Sequence, residues 1–209
     1  MTCFEGILFH FDVMSRALPG LGSTPKTRAG ALQLYDRWAE SYDATVTRWG
    51  YTAPRRAAEL LRAYRRGGQV LDAGCGTGLT GLELHRLGFQ VLGLDLSAEM
   101  IKRCSEKAIY RSLSRWDLEV SQGPLPFKRD EVQAVLCIGV LSYVCRFEAV
   151  FAEWCRVAEP LGHVVFSHRD VLWDNDVHGC RSAADALVRQ GRWRRLACSP
   201  PERYMPLGP

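Results

Sequence analysis

The chain has 209 residues, of which 47% are hydrophobic and 24% are charged, and its formal net charge is +4. This length is enough for one domain with its own hydrophobic core, so neither a metal nor a disulfide is needed to hold the fold. The small net charge does not point to a nucleic-acid partner, and the longest apolar run, residues 134–141, is far too short to span a bilayer.

The eight cysteines are dispersed and contain no C-x-x-C pair, and the five histidines are scattered as well. This pattern predicts neither a metal site nor a disulfide framework. Cys75 falls in a glycine-rich turn and Cys137 in an apolar strand, which is typical of small buried residues in a reducing compartment. With no convincing secretory signal at the N-terminus, we expect a cytoplasmic protein.

Residues 1–30 carry several prolines and glycines and no sustained hydrophobic period. We therefore expect them to form an N-terminal tail or loosely packed leader, to which no function is assigned. Residues 31–209 are expected to form the functional domain.

An aromatic stripe follows in residues 31–43, ALQLYDRWAESYD, where Tyr35, Trp38 and Tyr42 recur at helical spacing. Core packing is one interpretation, and it is the one we favour for Trp38. The alternative is that the stripe covers a bound ligand, with Tyr35, Tyr42 and the nearby Tyr51 as candidate contacts, because aromatic faces suit a cation and hydroxyls suit a carboxylate.

The stretch that organises the chain is residues 69–81, QVLDAGCGTGLTG. A short apolar strand leads into Gly74, Gly76 and Gly78, which let the backbone turn sharply and approach a ligand closely because they lack a Cβ. A helix begins at about Leu79. Strand, glycine-rich turn and helix form the first unit of a Rossmann-like nucleotide-binding fold.

Two cofactors compete for this turn. Gly76, Gly78 and Gly81 spell G-x-G-x-x-G, and Asp95 follows Gly76 by nineteen residues, as in a dinucleotide site. Asp72, however, would lie close to a pyrophosphate at the helix N-terminus, which is electrostatically unfavourable. S-adenosylmethionine has no phosphate, and its α-ammonium gives Asp72 a charge to pair with. A turn without any ligand would need one glycine rather than three.

The segments LYDRWAESYD, YTAPRRAAELL and VLDAGCGTGLTG together resemble class I S-adenosylmethionine-dependent methyltransferases. The similarity is strongest to the branch that includes the Williams–Beuren-region methyltransferase-like proteins and their bacterial relatives, and it runs over about residues 34–195. It implies a Rossmann-like, doubly wound, mostly parallel α/β sheet, S-adenosylmethionine as cofactor, and methyl transfer to an oxygen, nitrogen or sulfur of a small-molecule acceptor. The alternatives are a catalytically weak or inactive cofactor-binding relative and an NAD-dependent oxidoreductase.

Asp95 stands at the carboxyl end of the second strand of this unit, where a carboxylate can accept both ribose hydroxyls. The competing interpretation is an N-cap for the next helix, but Ser97 is better placed for that role. Leu96 is then expected to pack against the adenine.

Two further cofactor contacts are expected, the first of them implied by the resemblance. Asp117, near the end of a third strand predicted over residues 111–120, corresponds to the residue that receives the adenine amino group. Ile138 lies near the end of the apolar segment 132–140, which reads as a central strand buried on both faces. The residues that follow, VLSY, differ from the Asn-Pro-Pro-Tyr type of amino-methyltransferases that act on nucleic-acid bases, so a nucleic-acid acceptor is not expected.

No residue is assigned as the catalyst, because the cofactor's leaving group is already activated and the protein mainly aligns the reactants. Tyr143 and His168 are the candidates for a catalytic role. His168 falls in the expected loop 167–176 after the fifth strand, where it could line the acceptor pocket and act as a base, although a solvated histidine is the alternative.

The family resemblance implies a seven-stranded sheet whose last, antiparallel strand inserts between the fifth and the sixth. Residues 194–198 suit the sixth strand, but residues 199–209 contain four prolines, which lack the backbone donor that a central strand needs. The sequence therefore predicts that the seventh strand is absent. We expect a truncated or alternative form with an exposed gap in its sheet and reduced stability.

Overall fold

A computed structural model describes residues 4–12, 27–119, 123–200, 202–203 and 205–208. The strands are β1 (Phe4–Asp12), β2 (Gln69–Ala73), β3 (Gln90–Asp95), β4 (Tyr110–Arg115), β5 (Val132–Cys137), β6 (Ala158–Arg169), β7 (Trp193–Cys198) and the two-residue β8 (Glu202–Arg203). They form one sheet in the order β4-β3-β2-β5-β6-β1-β7, with β8 paired to β1, and every described pairing is parallel. The expected Rossmann-like α/β architecture is confirmed.

Helices cover both faces of the sheet. They are α1 (Arg28–Trp38), α2 (Tyr42–Arg48), α3 (Ala53–Tyr64), α4 (Leu79–Arg86), α5 (Ala98–Ser105), α6 (Phe147–Val157), α7 (Asp170–Asp174) and α8 (Cys180–Arg189). Successive residues of a strand point to opposite faces, so Val70 joins the core under α3 and α4 whereas Leu71 joins the core under α6 and α8. Both faces of β2 are therefore buried, which explains why its apolar residues are consecutive rather than alternating.

The N-terminal segment differs from the expected leader. Phe4–Asp12 form β1, which lies inside the sheet, parallel to β6 on one side and to β7 on the other. Local pattern could not reveal this, because the strand finds its partners about 160 and 190 residues further along the chain. The boundary at residue 30 between a leader and the functional domain stays a prediction, but residues 4–12 belong to the sheet.

The seventh strand of the family is absent from the described part of the C-terminal segment, which contributes only β8 after β7. The predicted consequence, an exposed gap between the fifth and sixth strands of the family order, is wrong. These two strands are β6 and β7, and β1 occupies the position between them, so both have a hydrogen-bonded neighbour there.

Two predicted boundaries also shift. The third strand, expected over residues 111–120, is β4 and ends at Arg115, so Asp117 lies beyond it. The loop expected over residues 167–176 is instead the end of β6 followed directly by α7. In the parts of the chain that the structure describes, no helix is both long and apolar enough to cross a membrane.

Candidate cofactor and acceptor site

A cleft opens at the carboxyl ends of β2, β3 and β5, where ligands bind in open α/β sheets. The empty space between its walls is about 1020 Å³ when the open solvent at its mouth is counted. The walls come from α1 and α2, the glycine-rich turn, the segments that follow β3 and β4, and residues 138–144.

The glycine-rich turn forms the floor of the cleft. Gly74, Gly76 and Gly78 all have left-handed φ values, of 79°, 55° and 94°, which glycine adopts without the strain that a Cβ would cause. A Cβ on Gly74 would also lie 2.5 Å from a methyl carbon of Val140. Gly74 and Gly76 line the cleft, whereas Gly78 lies behind it at the start of α4.

Asp95 joins the turn to the next strand. Its Oδ2 accepts a hydrogen bond from the Gly76 N–H at 2.9 Å, and its Oδ1 accepts one from the Ser97 N–H at 2.8 Å. Burial raises the pKa of Asp95, and these two N–H groups oppose that rise. Each carboxylate oxygen keeps acceptor capacity, and Asp95 lines the cleft as predicted for a ribose contact.

Ser97 caps α5, as the sequence indicated. Its Oγ accepts from the Met100 N–H at 3.1 Å and donates to a carboxylate oxygen of Asp36 on α1. The helix cap therefore also fastens α1 beside the cleft. Because Ser97 caps the helix, Asp95 is not needed for that role, and it lines the cleft.

Three residues predicted to contact the cofactor meet at the same wall. Leu96, Asp117 and Ile138 all line the cleft, and Asp117 is buried. The Asp117 Oδ1 accepts from the Glu119 N–H at 3.0 Å, which fixes the direction of its carboxylate. Its acceptor oxygens suit an exocyclic amino group.

Tyrosine rings form the roof. Tyr35, Tyr42, Tyr51 and Tyr143 all line the cleft, and the ring centroids of Tyr35 and Tyr143 are 6.0 Å apart in an edge contact. Trp38 is buried and packs against Tyr35 and Tyr42 from behind without lining the cleft. The aromatic stripe thus combines the two roles considered for it, because Trp38 is part of the core while the tyrosines line the cleft.

Asp43 holds α2 over the floor. Its Oδ1 accepts from the Thr77 hydroxyl at 2.5 Å, and its Oδ2 pairs with the Lys107 ammonium at 2.7 Å. Lys107 also donates to the Thr77 carbonyl at 2.7 Å. The sequence did not predict this connection, because its three members lie in separate segments that only the fold brings together.

Asp72 does not line the cleft. Its side chain is only 1% exposed, and its Oδ2 accepts from the Tyr110 hydroxyl at 2.7 Å. Burial raises the pKa of Asp72 to about 7, the hydrogen bond from Tyr110 lowers it, and the nearby charge of Asp95 raises it further. The direct pairing of Asp72 with a ligand ammonium therefore stays a prediction, and the geometry places the carboxyl beneath the turn.

His168 is not brought to the cleft. It lies on β6, is 3% exposed, and its ring packs near those of Phe147 and Trp173 at 5.8 and 6.4 Å. The structure therefore contradicts its expected place in a solvated loop or an acceptor pocket. Tyr143, the other candidate for a catalytic role, does line the cleft.

Glu119 is a cleft residue that the sequence did not single out. It is buried, and its Oε1 accepts from the Cys145 N–H at 2.7 Å and the Arg146 N–H at 2.8 Å. It therefore anchors the end of the segment that carries Tyr143. No signal marked it, because it follows an irregularly patterned strand.

The residues present fit an adenosyl cofactor without phosphates. The left-handed glycines leave an open floor, since a Cβ on Gly76 would meet no heavy atom within 4 Å. The charged side chains that line the cleft, among the described residues, are the carboxylates of Asp95, Asp117 and Glu119, which suit hydroxyl and amino groups rather than a pyrophosphate. The described residues contain no group of three potential metal ligands.

Comparisons with known proteins agree with this site. A family model described as a methyltransferase domain matches residues 71–166. Human methyltransferase-like protein 27 is 37% identical over 90% of this chain and 82% of its own length. The demethylmenaquinone methyltransferase of Tropheryma whipplei (strain Twist) is 30% identical over 68% of this chain, which spans only 62% of that relative.

A solved structure described as the DhpI–SAH complex is 32% identical to the chain, covers 65% of each chain, and superposes with a TM-score of 0.55. A putative S-adenosyl-L-methionine-dependent methyltransferase from Methanococcus maripaludis covers 82% of this chain with a TM-score of 0.52, and at 16% identity it supports the fold alone. These findings decide between the two cofactors that the glycine turn left open. The chain belongs to the class I S-adenosylmethionine-dependent methyltransferases, and S-adenosylmethionine is its cofactor.

Proposed function

We propose that the acceptor is a small molecule, methylated at an oxygen, nitrogen or sulfur while it is held under the tyrosine roof of the cleft. The observation that carries this proposal is the arrangement of Tyr35, Tyr42 and Tyr143 around one cavity, beside the predicted ribose and adenine contacts. Such a roof provides apolar faces for a small organic molecule and keeps water from the reacting atoms.

When bound, the cofactor supplies a methyl group on a positively charged sulfur. The chain's own residues have three tasks. Asp95 and Asp117 orient the nucleoside part, the glycine turn allows close approach, and the α1–α2 cover excludes water. Tyr143 is the cleft residue that we propose to contact the acceptor.

The names of the relatives support a small acceptor but not one in particular. They include a ubiquinone biosynthesis O-methyltransferase, 28% identical over 68% of this chain, and a malonyl-[acyl-carrier protein] O-methyltransferase, 33% identical over 64%. The chain spans 63% and 49% of these two proteins. Their acceptors are properties of those proteins and enter here only as members of a test panel.

The test is S-adenosylhomocysteine formation with a panel of small phenols, amines, thiols and carboxylates. We expect turnover with at least one class, and reduced turnover with unchanged S-adenosylhomocysteine affinity in Tyr143→Phe. Tyr64→Phe is the matched control, because Tyr64 is 44% exposed and lies outside the cleft. Binding without turnover across the whole panel would support the alternative, a catalytically inactive relative.

We also propose a cytoplasmic location, supported by the thiols. The cysteines that the structure describes are all free, and most of them are buried, which fits a reducing compartment. Microscopy of a fluorescent fusion tests this, and a secreted or organellar signal would contradict it.

A further inference from the structure

A hydrogen-bonded pair lies beneath the glycine-rich turn, outside the cleft itself. The Tyr110 hydroxyl, from the first residue of β4, donates to the Asp72 Oδ2 at 2.7 Å. Asp72 is the acid of the family motif, and with 1% exposure it has almost no access to water. The other carboxylate oxygen, Oδ1, accepts no hydrogen bond that meets ordinary geometric limits. The Gly81 N–H is a second, weaker donor toward the carboxyl, so Tyr110 is the main group that fixes its direction.

Two glycines make room for Tyr110. A Cβ on Gly81, in α4, would lie 2.0 Å from the Tyr110 hydroxyl oxygen, and a Cβ on Gly93, in β3, would lie 2.8 Å from its ring. Neither glycine has a positive φ, so backbone conformation does not require them. Glycine inside a helix costs about 1 kcal/mol relative to alanine. Glycine therefore lowers the intrinsic stability of α4 and β3 at the two positions that contact the Tyr110 side chain.

The pair controls a buried charge. Burial raises the pKa of Asp72 to about 7, and the Tyr110 hydroxyl is the strongest influence that lowers it. The other titratable groups around the pair, from each element packed against it, are Asp95, Cys75, Cys104 and Cys137. Burial and neighbouring groups raise the pKa values of Cys75 and Cys137, so these thiols stay neutral, and the Asp95 charge opposes ionisation of Asp72.

We propose that Tyr110 is a positioning residue of the cofactor site, whose hydroxyl orients the Asp72 carboxyl beneath the glycine-rich turn and favours its ionised form. From there the negative charge favours the α-ammonium group of the cofactor, although Asp72 does not line the cleft. This proposal rests on the assignment of S-adenosylmethionine as cofactor. Tyr110 lies in β4, outside the glycine-rich motif, but in this proposal it influences the charge of a residue within that motif.

The test is calorimetric titration with S-adenosylhomocysteine between pH 6 and pH 9, comparing wild type with Tyr110→Phe. Loss of a hydrogen bond to a carboxylate predicts affinity about tenfold lower near pH 7. The loss should shrink toward pH 9, where Asp72 ionises without help. The ratio of the two dissociation constants at each pH cancels the titration of the ligand's own amine. Tyr64→Phe, at an exposed tyrosine, should give a ratio near one throughout.

Asp72→Asn supplies the second arm. In that background Tyr110→Phe should cause no further loss of affinity, because no ionisable carboxyl remains for the hydroxyl to act on. If Tyr110→Phe does not fold, Gly81→Ala replaces it, since alanine suits the helix but displaces the hydroxyl. The same pH-dependent loss is then expected.

A ratio that is equal at all pH values, or a full additional loss in the Asp72→Asn background, overturns the proposal and leaves Tyr110 with a packing role. A wild-type protein that does not bind S-adenosylhomocysteine at all is a different result. It contradicts the cofactor assignment and is seen before any variant is compared.

Discussion

The two halves of the sheet were specified in different ways. The cofactor half, from β4 to β5, is built around a turn whose glycines and acids lie within about 25 residues of one another, from Asp72 to Asp95. The distal half, β6, β1 and β7, depends on a strand from the N-terminus pairing with strands far along the chain. A local motif can be recognised in a sequence, whereas the choice of a distant strand partner cannot.

The largest expected effect comes from breaking the distal half at β1. Leu8 pairs with Phe166 of β6 on one side and with Cys198 of β7 on the other, so its backbone lies inside the ladder. Leu8→Pro removes a donor from this central position and should lower the free energy of unfolding by about 3 kcal/mol or more. Chemical denaturation measures this, with Leu8→Ile as the control that keeps the N–H. Equal stability of both variants would mean that β1 contributes little to the sheet.

A large effect on binding alone is expected in the cofactor half. Asp95→Ala removes the carboxylate that receives the Gly76 and Ser97 N–H groups and faces the cleft. Affinity for S-adenosylhomocysteine should fall about 100-fold, as for the loss of charged hydrogen bonds worth roughly 3 kcal/mol. Asp174→Ala, on an exposed helix, is the control. Unchanged affinity in Asp95→Ala would remove Asp95 from the site.

Asp72 should show a trade between stability and binding. Because its pKa is about 7 in the folded chain against an ordinary 3.8, the folded state holds the proton more tightly. The stability that this protonation contributes is complete below about pH 4 and is lost as the pH rises through 7. Asp72→Asn should therefore raise the free energy of unfolding of the ligand-free protein at pH 8 by on the order of 2 kcal/mol.

The same variant should bind S-adenosylhomocysteine more weakly. Urea denaturation at pH 5 and pH 8 measures the stability effect and provides its internal control. The increase in the free energy of unfolding of Asp72→Asn over wild type should be much smaller at pH 5 than at pH 8. A variant that is less stable than wild type at pH 8 would contradict the high pKa and, with it, the buried position of the charge.

The smallest effect is expected at Asp43, which connects α2 to the glycine-rich turn. Asp43→Asn weakens the ion pair with Lys107, which is partly exposed, so the loss should be about 1 kcal/mol or less. S-adenosylhomocysteine should dissociate a few-fold faster in stopped-flow measurements, with little change in melting temperature. Glu106→Gln, in an exposed pair with Arg103, is the control. Identical dissociation rates would mean that α2 does not retain the ligand.

The predicted site residues that line the cleft share one property. Gly74, Gly76, Asp95 and Leu96 follow directly from a strand end, and the fold brings strand ends together at one edge. Asp72 shows the limit of that logic. Its position in the motif suggested contact with the ligand, but a residue inside β2 can point beneath the turn as well as above it, and burial decided the direction.

The residues that the sequence missed depend on three-dimensional contacts between separate elements. The hydroxyl of Tyr110, in β4, reaches Asp72 in β2. Glu119 binds the backbone of a loop about 26 residues away, and Asp43 contacts Lys107 only after α2 packs over the glycine-rich turn. The seventh strand could be excluded because proline lacks a backbone donor. Its replacement by β1 could not be foreseen, because no short-range pattern encodes strand order.

The measurement that tests the account most directly is calorimetric titration of the wild-type protein with S-adenosylhomocysteine and, separately, with NAD. We predict that one S-adenosylhomocysteine binds per chain and that NAD gives no heat of binding. Asp95→Ala should bind S-adenosylhomocysteine much more weakly. Absence of S-adenosylhomocysteine binding, whether or not NAD binds, would contradict the assignment of the cofactor.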